Sequence, residues 1–179
     1  MELSTPEDAA RTHVALVGLS GTGKSEVAPL LAARLGLRAV DLDDLVVARA
    51  GVSVAELFER DGEEAFRALE SEVLREQIGG PPAVLATGGG VVLDDSNRRL
   101  LVERCRVVWL RTPVDVLVGR LERDAEQRPL LRDGAATTLR RLATEREALY
   151  AEVACVEVAT DNLGPDAVTD AVVEELERV

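Results

Sequence analysis

The chain has 179 residues, 46% of them hydrophobic and 30% charged, which is the length and composition of one folded domain. Its 33 acidic and 21 basic residues give a net charge of −12, which disfavours binding to a nucleic acid backbone or to an anionic membrane surface. The sequence contains no apolar run long enough to span a bilayer, no signal-like N-terminal segment and no motif spacing between Cys105 and Cys155, and so predicts a cytoplasmic protein with two reduced thiols.

Strands and helices are predicted to alternate along the chain. Apolar runs predict strands at residues 13–19, 37–41, 83–86, 106–110 and 153–158. Helical patterns and capping residues predict helices at 24–35 and 43–50, from 53 to a break at Gly62, and at 63–78, 113–123 and 137–151, with a last helix after the final strand. This alternation predicts a single α/β domain, 1–179, in which helices cover both faces of a parallel sheet of about five strands. Ligands bind such sheets beyond the carboxyl ends of the strands.

The strongest motif is a phosphate-binding loop between the first strand and the first helix. Residues 18–25 read Gly-Leu-Ser-Gly-Thr-Gly-Lys-Ser and match Gly-x4-Gly-Lys-Ser/Thr in full. The glycines let backbone N–H groups surround phosphate oxygens, and the helix N-terminus favours the negative charge. Lys24, the only lysine of the chain, would reach the β and γ phosphates, and the Ser25 hydroxyl would bind Mg²⁺. The alternative is a glycine-rich turn with a lysine there by chance.

Two absences from the sequence narrow the class of nucleotide-binding protein. A guanine-reading Asn-Lys-x-Asp motif needs a lysine other than Lys24, and there is none. No apolar strand ends in the Asp-Glu pair expected of a motor ATPase. A small chain with a phosphate loop therefore predicts a kinase of a small molecule. The polar segment 124–136 is long for a loop in a compact domain, so we expect it to be a lid or to be disordered.

Acidic residues follow the second predicted strand. Asp41 and Asp43 alternate along the chain, so on a strand both side chains point to one side. One carboxylate near Mg²⁺ and another facing an acceptor hydroxyl suit phosphoryl transfer. The alternative is that Asp43 or Asp44 only caps the next helix.

Both phenylalanines, Phe58 and Phe66, lie in one helical stretch, and Arg67 has Glu63 and Glu70 at helical spacing. Core packing beside a solvated ion pair is the ordinary interpretation of such a group. Three glycines follow the third strand, Gly88 to Gly90, and permit close approach of the backbone to a ligand, although a flexible turn is the alternative.

Two further arginines, Arg128 and Arg146, are candidate functional residues. Arg128, in an Arg-Pro-Leu-Leu sequence of the long loop, would neutralise charge on the γ-phosphate when the loop closes. The ordinary interpretation is a solvated loop arginine. Arg146 lies on a predicted helix four residues before Tyr150, and by itself would be a surface residue.

Taken in order, the motifs GLSGTGKS, DLD, DGEEAFR, TGGG, RPLL and ER-x3-Y resemble the shikimate kinase family over nearly the whole chain. The resemblance implies a P-loop kinase fold of three layers with a lid at about 124–136 and a shikimate-binding helical segment at about 51–82. It implies an enzyme that transfers the γ-phosphoryl group of ATP to the 3-hydroxyl of shikimate with Mg²⁺, on the route to chorismate and the aromatic amino acids. We also expect the enzyme to be a monomer.

The resemblance also implies roles for individual residues. Asp43 corresponds to the acidic residue at or near the base, Arg67 and Arg146 to the pair that holds the substrate carboxylate, and Asp41 to the residue associated with Mg²⁺. The implied substrate contacts are Asp43, Phe58, Phe66, Arg67, Glu70, Gly88, Gly89, Gly90 and Arg146. The implied nucleotide contacts are Gly21, Thr22, Gly23, Lys24, Ser25, Glu26 and Arg128, of which Ser25 also binds the metal with Asp41. Lys24, Asp43 and Arg128 are the implied catalytic residues.

The chain departs from the family pattern on the nucleotide side. Glu26 replaces a usual threonine, and Pro29 replaces a residue that is commonly small. Arg120 is a candidate for stacking on adenine. The alternative functions are a kinase of another hydroxy acid, such as gluconate, and a regulator that binds ATP without turnover.

Overall fold

In a computed structural model of the chain, the described residues are 12–125 and 134–179, excluding the side chains of 121–125 and 135. The strands are β1 (His13–Val17), β2 (Arg38–Asp41), β3 (Ala83–Ala86), β4 (Cys105–Arg111) and β5 (Val156–Ala159). The helices are α1 (Lys24–Leu35), α2 (Leu42–Ala50), α3 (Val54–Ile78), α4 (Asp95–Arg104), α5 (Val114–Ala125), α6 (Ala135–Val153) and α7 (Pro165–Arg178). Most of the expected lid, including Arg128, lies outside the described residues.

The five strands form one parallel sheet in the order β2-β3-β1-β4-β5. All five residues of β1 are buried, because this central strand is covered on both faces. Ala15 pairs with Leu85 on one side and with Val107 on the other. The predicted α/β fold with five parallel strands is therefore confirmed.

Alternation along the strands divides the core between two layers of helices. Leu16 packs in one cluster with Leu31 of α1 and Val172 of α7. Its neighbour Val17 faces the opposite cluster, which includes Leu74 of α3. The sheet thus lies between helices on both faces, as the three-layer prediction requires.

Local chemistry sets several boundaries where the sequence predicts them. The capping box of α3 forms, since Ser53 N donates to Glu56 Oε2 at 2.9 Å and Glu56 N donates to Ser53 Oγ at 3.2 Å. Gly62 adopts φ 84° and ψ 174° and kinks α3, where the sequence predicts a break. That kink separates a short first part of the helix, which carries Phe58, from a long second part, which carries Phe66, Arg67 and Glu70.

Two parts of the fold differ from the sequence predictions. Asp43 lies in the first turn of α2, not on a strand, because Asp41 ends β2 and caps the helix with its own carboxylate. The prediction that the side chains of Asp41 and Asp43 point to one side of a strand is therefore wrong. The alternative, in which Asp43 or Asp44 caps the helix, is also wrong. Helix α4 was not predicted, since its sequence is polar; it begins at an Asp94 cap that accepts from Ser96 N and Asn97 N.

The carboxyl ends of three adjacent strands bring the candidate residues together. The phosphate loop follows β1, Asp41 ends β2, and Thr87 and the three glycines follow β3. No helix in the described ranges is long and apolar enough to cross a membrane.

The two leucines of α1 provide a test of the core. Leu31 is fully buried, whereas Leu35 is 37% exposed one turn later. We expect Leu31→Ala to lower the free energy of unfolding by about 3 kcal/mol, because it removes buried methyl groups and leaves a cavity. Leu35→Ala, the control on the same helix, should change it by less than about 0.5 kcal/mol. Equal losses in urea unfolding would contradict this assignment of the core.

Candidate active site

The phosphate loop is held closely against the sheet. Gly18 has φ +142°, and a Cβ there would lie 2.5 Å from the Leu110 carbonyl oxygen, so a side chain would clash with β4. Thr22 Oγ1 donates to the Leu19 carbonyl at 3.0 Å and braces the loop from inside. Gly23 adopts φ 93° directly before α1, which turns the backbone into the first helical residue.

Lys24 lies inside this loop. Its Nζ donates to the carbonyl oxygens of Gly18 and Leu19 at 2.8 and 2.7 Å, and the residue is only 8% exposed. Burial lowers the pKa of Lys24 to about 8, although the carboxylates of Asp43 and Asp41 act in the opposite direction. The ammonium group is thus partly desolvated, and an anion at the loop would stabilise its charged form.

Ser25 and Asp41 provide the oxygen donors expected of a magnesium site. Ser25 Oγ donates to Asp41 Oδ2 at 2.6 Å, while Asp41 Oδ1 accepts from the Asp43 and Asp44 backbone. A hydroxyl and one carboxylate are hard donors suited to Mg²⁺, which commonly keeps several waters and substrate phosphates as ligands. Among the described residues there is no cluster of three His, Cys, Asp or Glu side chains around a common point. The donor set therefore fits a metal bound jointly with phosphates and water rather than by a protein cage.

A cleft of about 580 Å³ extends from the loop along α5 and the segment before α7. Glu26, exposed in the first turn of α1, lies on its wall. Arg120 bridges the phosphate loop and the segment after β5. Its Nη1 donates to the Gly21 carbonyl at 2.9 Å, and its Nη2 donates to the Thr160 carbonyl at 3.3 Å. Asp43 and Gly89 line the same cleft, so the phosphate side and the acceptor side meet there.

Asp43 faces this meeting point. Asp43 is exposed at its surface, but the protein around it removes part of its hydration and raises its pKa; the Asp41 carboxylate adds to the rise, and the positive charge of Lys24 partly opposes it. Its Oδ1 would lie 2.9 Å from a Cβ placed on Gly88. A carboxylate with a raised pKa beside the phosphate loop suits acceptance of a proton from a hydroxyl group.

The glycine turn after β3 is fixed by its surroundings. Thr87 N and Thr87 Oγ1 both donate to the Leu16 carbonyl of β1, at 3.2 and 2.9 Å. A Cβ on Gly88 would lie 2.3 Å from Glu70 Oε1, and one on Gly90 would lie 1.9 Å from Arg67 Nη1. A side chain at either position would therefore displace the carboxyl group of Glu70 or the guanidinium of Arg67.

Arg67 is held between two carboxylates of α3. It donates from Nη1 to Glu70 Oε2 at 3.2 Å and from Nη2 to Glu63 Oε1 at 3.0 Å. Glu70 is 1% exposed, and burial raises its pKa while Arg67 opposes the rise. Glu70 thereby orients the guanidinium toward the glycine turn. The group is therefore not simply a solvated ion pair on a helix surface.

Phe58 and Phe66 pack together across the kink with ring centroids 4.7 Å apart.

Arg146 approaches the turn from α6. A Cβ on Gly89 would lie 3.6 Å from its Nη1. Within the described part of the chain, Arg146 Nε and Glu70 Oε1 are buried without a hydrogen-bond partner. Such atoms are costly unless a ligand or water completes them. Two arginines and a carboxyl group thus approach the same glycine turn, and paired guanidinium groups are suited to binding a carboxylate.

Sequence reasoning missed two residues of this region. Thr87 anchors the glycine turn, and the Tyr150 hydroxyl donates to the Gly89 carbonyl at 2.5 Å. The available signal for Tyr150 was its place one helical turn after Arg146 and its status as the only tyrosine. Of the implied residues, Arg128 alone lies outside the described part of the chain.

The sheet order, the phosphate loop between β1 and α1 and the acidic residue opposite it define a P-loop kinase that acts on a small molecule. Residues 20–177 match the family model described as shikimate kinase. The chain belongs to the shikimate kinase family, and is accordingly an ATP-dependent kinase that phosphorylates shikimate.

Individual relatives agree with this membership. The shikimate kinase of Geobacter sulfurreducens is 48% identical over 151 residues, 84% of this chain and 82% of that protein. The one from Chromohalobacter salexigens is 41% identical over 167 residues, 93% of this chain and 92% of that protein. The structure of shikimate kinase from Acinetobacter baumannii in complex with shikimate has a TM-score of 0.86 and 34% identity, covering 97% of this chain and 98% of that one. A gluconokinase from Sinorhizobium meliloti, with TM-score 0.62, 18% identity and 93% of each chain covered, shares the fold.

The lowered pKa of Lys24 predicts its titration. Since Lys24 is the only lysine, ¹³C-lysine labelling gives one side-chain resonance in NMR spectra. In the free protein it should titrate near pH 8, below the usual value of about 10.4 for lysine. Added ADP should raise the midpoint, because bound phosphates favour the ammonium form. A midpoint above 10 in the free protein would contradict the buried position.

The close contact at Gly90 predicts a selective loss of acceptor binding. Gly90→Ala would place a Cβ 1.9 Å from Arg67 Nη1 and displace that guanidinium. We expect the KM for shikimate to rise about 10- to 100-fold, as for loss of a charged hydrogen bond, with little change in the KM for ATP. Gly119→Ala is the control, since a Cβ there meets no described atom within 4 Å. An unchanged shikimate KM in steady-state kinetics would remove Arg67 from the acceptor site.

Proposed function

We propose that the enzyme transfers the γ-phosphoryl group of ATP to the 3-hydroxyl of shikimate, with Asp43 receiving the hydroxyl proton. One observation carries the proposal: Gly89 lies between the two halves of the site. A Cβ there would be 3.4 Å from Ser20 N of the phosphate loop and 3.6 Å from Nη1 of Arg146. The groups suited to a phosphate and those suited to a carboxylate are therefore separated by one backbone turn, as transfer between two bound substrates requires.

On the donor side, the loop N–H groups and the α1 N-terminus would bind the phosphates. Lys24 would exchange its bonds to the Gly18 and Leu19 carbonyls for oxygens of the β and γ phosphates. We propose that Mg²⁺ is held by Ser25 and by Asp41, the latter through water. When bound, the metal would neutralise charge on the phosphates. Gly21, Thr22, Gly23 and Glu26 complete the proposed nucleotide contacts.

On the acceptor side, Arg67 and Arg146 would bind the shikimate carboxylate. Paired guanidinium groups recognise a carboxylate with directional, charge-assisted hydrogen bonds. Glu70 would hold Arg67 in place through its 3.2 Å hydrogen bond. The proposed pocket is completed by the turn Gly88 to Gly90 and by the Phe58–Phe66 pair.

For the transfer itself, positioning and charge stabilisation supply most of the catalysis. Asp43 would orient the acceptor hydroxyl and take its proton as the oxygen bonds to phosphorus and the bond to ADP breaks. Arg128 remains a proposed partner of the transferred group, on the basis of its Arg-Pro-Leu-Leu sequence alone. We further propose that the enzyme works as a monomer in the cytoplasm. It is expected to act without nucleic acid, since a net charge of −12 disfavours binding to polyanions.

A coupled assay of ADP release tests this function. With Mg-ATP, release should depend on shikimate and stay at the background rate with gluconate or with no acceptor. Release that ignores shikimate, from a protein that still binds ATP, would overturn the proposal and favour a regulator. Release of ADP with gluconate but not with shikimate would favour a kinase of another hydroxy acid.

The role of Asp43 is tested by substitution. Asp43→Asn should lower kcat by about 10²- to 10⁴-fold, the range for loss of a general base, while ATP affinity changes little. Asp44→Asn is the matched control, because Asp44 is the exposed next residue of α2 and its side chain has no proposed role. A comparable loss of ATP binding in Asp43→Asn would place this residue on the nucleotide instead.

A further inference from the structure

Tyr150 is a buried residue that the proposed reaction leaves without a role. It is the only tyrosine of the chain, is 1% exposed, and donates from its hydroxyl to the Gly89 carbonyl at 2.5 Å. The two residues are 61 positions apart, so this bond joins α6 directly to the turn after β3. Gly89 is half-buried and lines the cleft, and this hydrogen bond comes from a phenol that is itself fully buried.

Gly89, which the bond holds, touches both halves of the site. A Cβ there would lie 3.4 Å from Ser20 N and 3.5 Å from the Gly18 carbonyl oxygen of the phosphate loop. It would lie 3.6 Å from Arg146 Nη1 on the other side. A displacement of this peptide would therefore be transmitted to the phosphate loop and to the acceptor arginine together.

The charge of Arg146 also acts on this hydroxyl. Burial raises the pKa of Tyr150 to about 12, while the positive charge of Arg146 acts in the opposite direction. Arg146 precedes Tyr150 by one turn of α6, so both side chains point from the same face toward Gly89. The phenol thus stays protonated at neutral pH and can keep donating to the carbonyl while it interacts with the guanidinium.

The ring and the hydroxyl of Tyr150 have separable contacts. The ring packs against Trp109 of β4, with centroids 5.9 Å apart, in the core cluster between the sheet and α6. A phenylalanine at this position would keep that packing and lose only the hydroxyl. The effect of the hydrogen bond can therefore be measured without opening a cavity.

We propose that Tyr150 is a positioning residue: its hydroxyl fixes the Gly89 carbonyl and the Arg146 guanidinium relative to the phosphate loop, and so makes the binding of shikimate and of ATP mutually favourable. This inference rests on the proposed function of the site. The coupling is reciprocal, so nucleotide tightens shikimate binding by the same factor by which shikimate tightens nucleotide binding.

The test compares Tyr150→Phe with wild type and with Thr144→Val. Thr144 is an exposed residue of α6 whose hydroxyl donates only to the Arg140 carbonyl of its own helix, so this variant removes a hydroxyl away from the site. Dissociation constants for shikimate are measured by calorimetry with and without the ATP analogue AMP-PNP and Mg²⁺. Steady-state kinetics then give kcat and each KM.

For Tyr150→Phe we expect the KM for shikimate to rise about tenfold, equivalent to about 1.4 kcal/mol, and kcat to fall less than threefold. The factor by which AMP-PNP tightens shikimate binding should fall toward one. The pH profile of kcat should keep its shape, because Tyr150 transfers no proton. Thr144→Val should match wild type in all of these.

Three results would overturn the inference. One is a variant with a lowered Tm but wild-type shikimate KM and coupling, which would make Tyr150 a purely structural residue. Another is a Tyr150→Phe variant whose kcat no longer falls on one side of its pH optimum, which would make Tyr150 an acid–base group. The third is a wild-type enzyme in which the two ligands bind independently. If wild type does not phosphorylate shikimate at all, the proposed function itself has failed.

Discussion

The close approach of a bare backbone turn to charged side chains is the constraint on which this active site depends. Gly88 and Gly90 leave so little space that a single methyl group would overlap Glu70 or Arg67. Thr87 ties the same turn to Leu16 of the central strand, two residues before the phosphate loop begins. The phosphate loop and the glycine turn thus follow two neighbouring strands, β1 and β3, and the sheet sets the distance between them.

Local charge in the site opposes the charge of the whole chain. A protein with a net charge of −12 would repel both ATP and a carboxylate acceptor at long range. Lys24 is buried at the phosphate loop, and half-buried Arg67 and Arg146 lie beside the glycine turn, where partial burial strengthens their attraction for an anion. Glu70 is buried beside Arg67, and its hydrogen bond orients the guanidinium toward the glycine turn.

Sequence reasoning succeeded where a feature is encoded by neighbouring residues. Helix α1 begins at Lys24 and ends at Leu35 as predicted, since Gly23 and Gly36 adopt left-handed backbone conformations at its two ends. It failed where distant contacts contribute, or where two neighbouring residues could play the same local role. Helix α4 is polar, and is held partly by Asn97, which donates to Ser71 and to the Val91 carbonyl. The sequence identified Asp41 and Asp43 as candidate site residues. It did not show that Asp41 caps α2, and this cap ends β2 at Asp41 and places Asp43 in the helix. No local pattern reports that Tyr150 meets Gly89.

The pairing of Trp109 with Tyr150 has an optical consequence. These are the only tryptophan and the only tyrosine of the chain, so its near-ultraviolet absorption and emission come almost entirely from two touching rings behind the acceptor turn. Arg111 lies over the indole at 5.4 Å, and an adjacent charge shifts the energy of an excited indole. The unlabelled enzyme therefore carries a single tryptophan, which packs on Tyr150, the residue that donates a hydrogen bond to the Gly89 carbonyl.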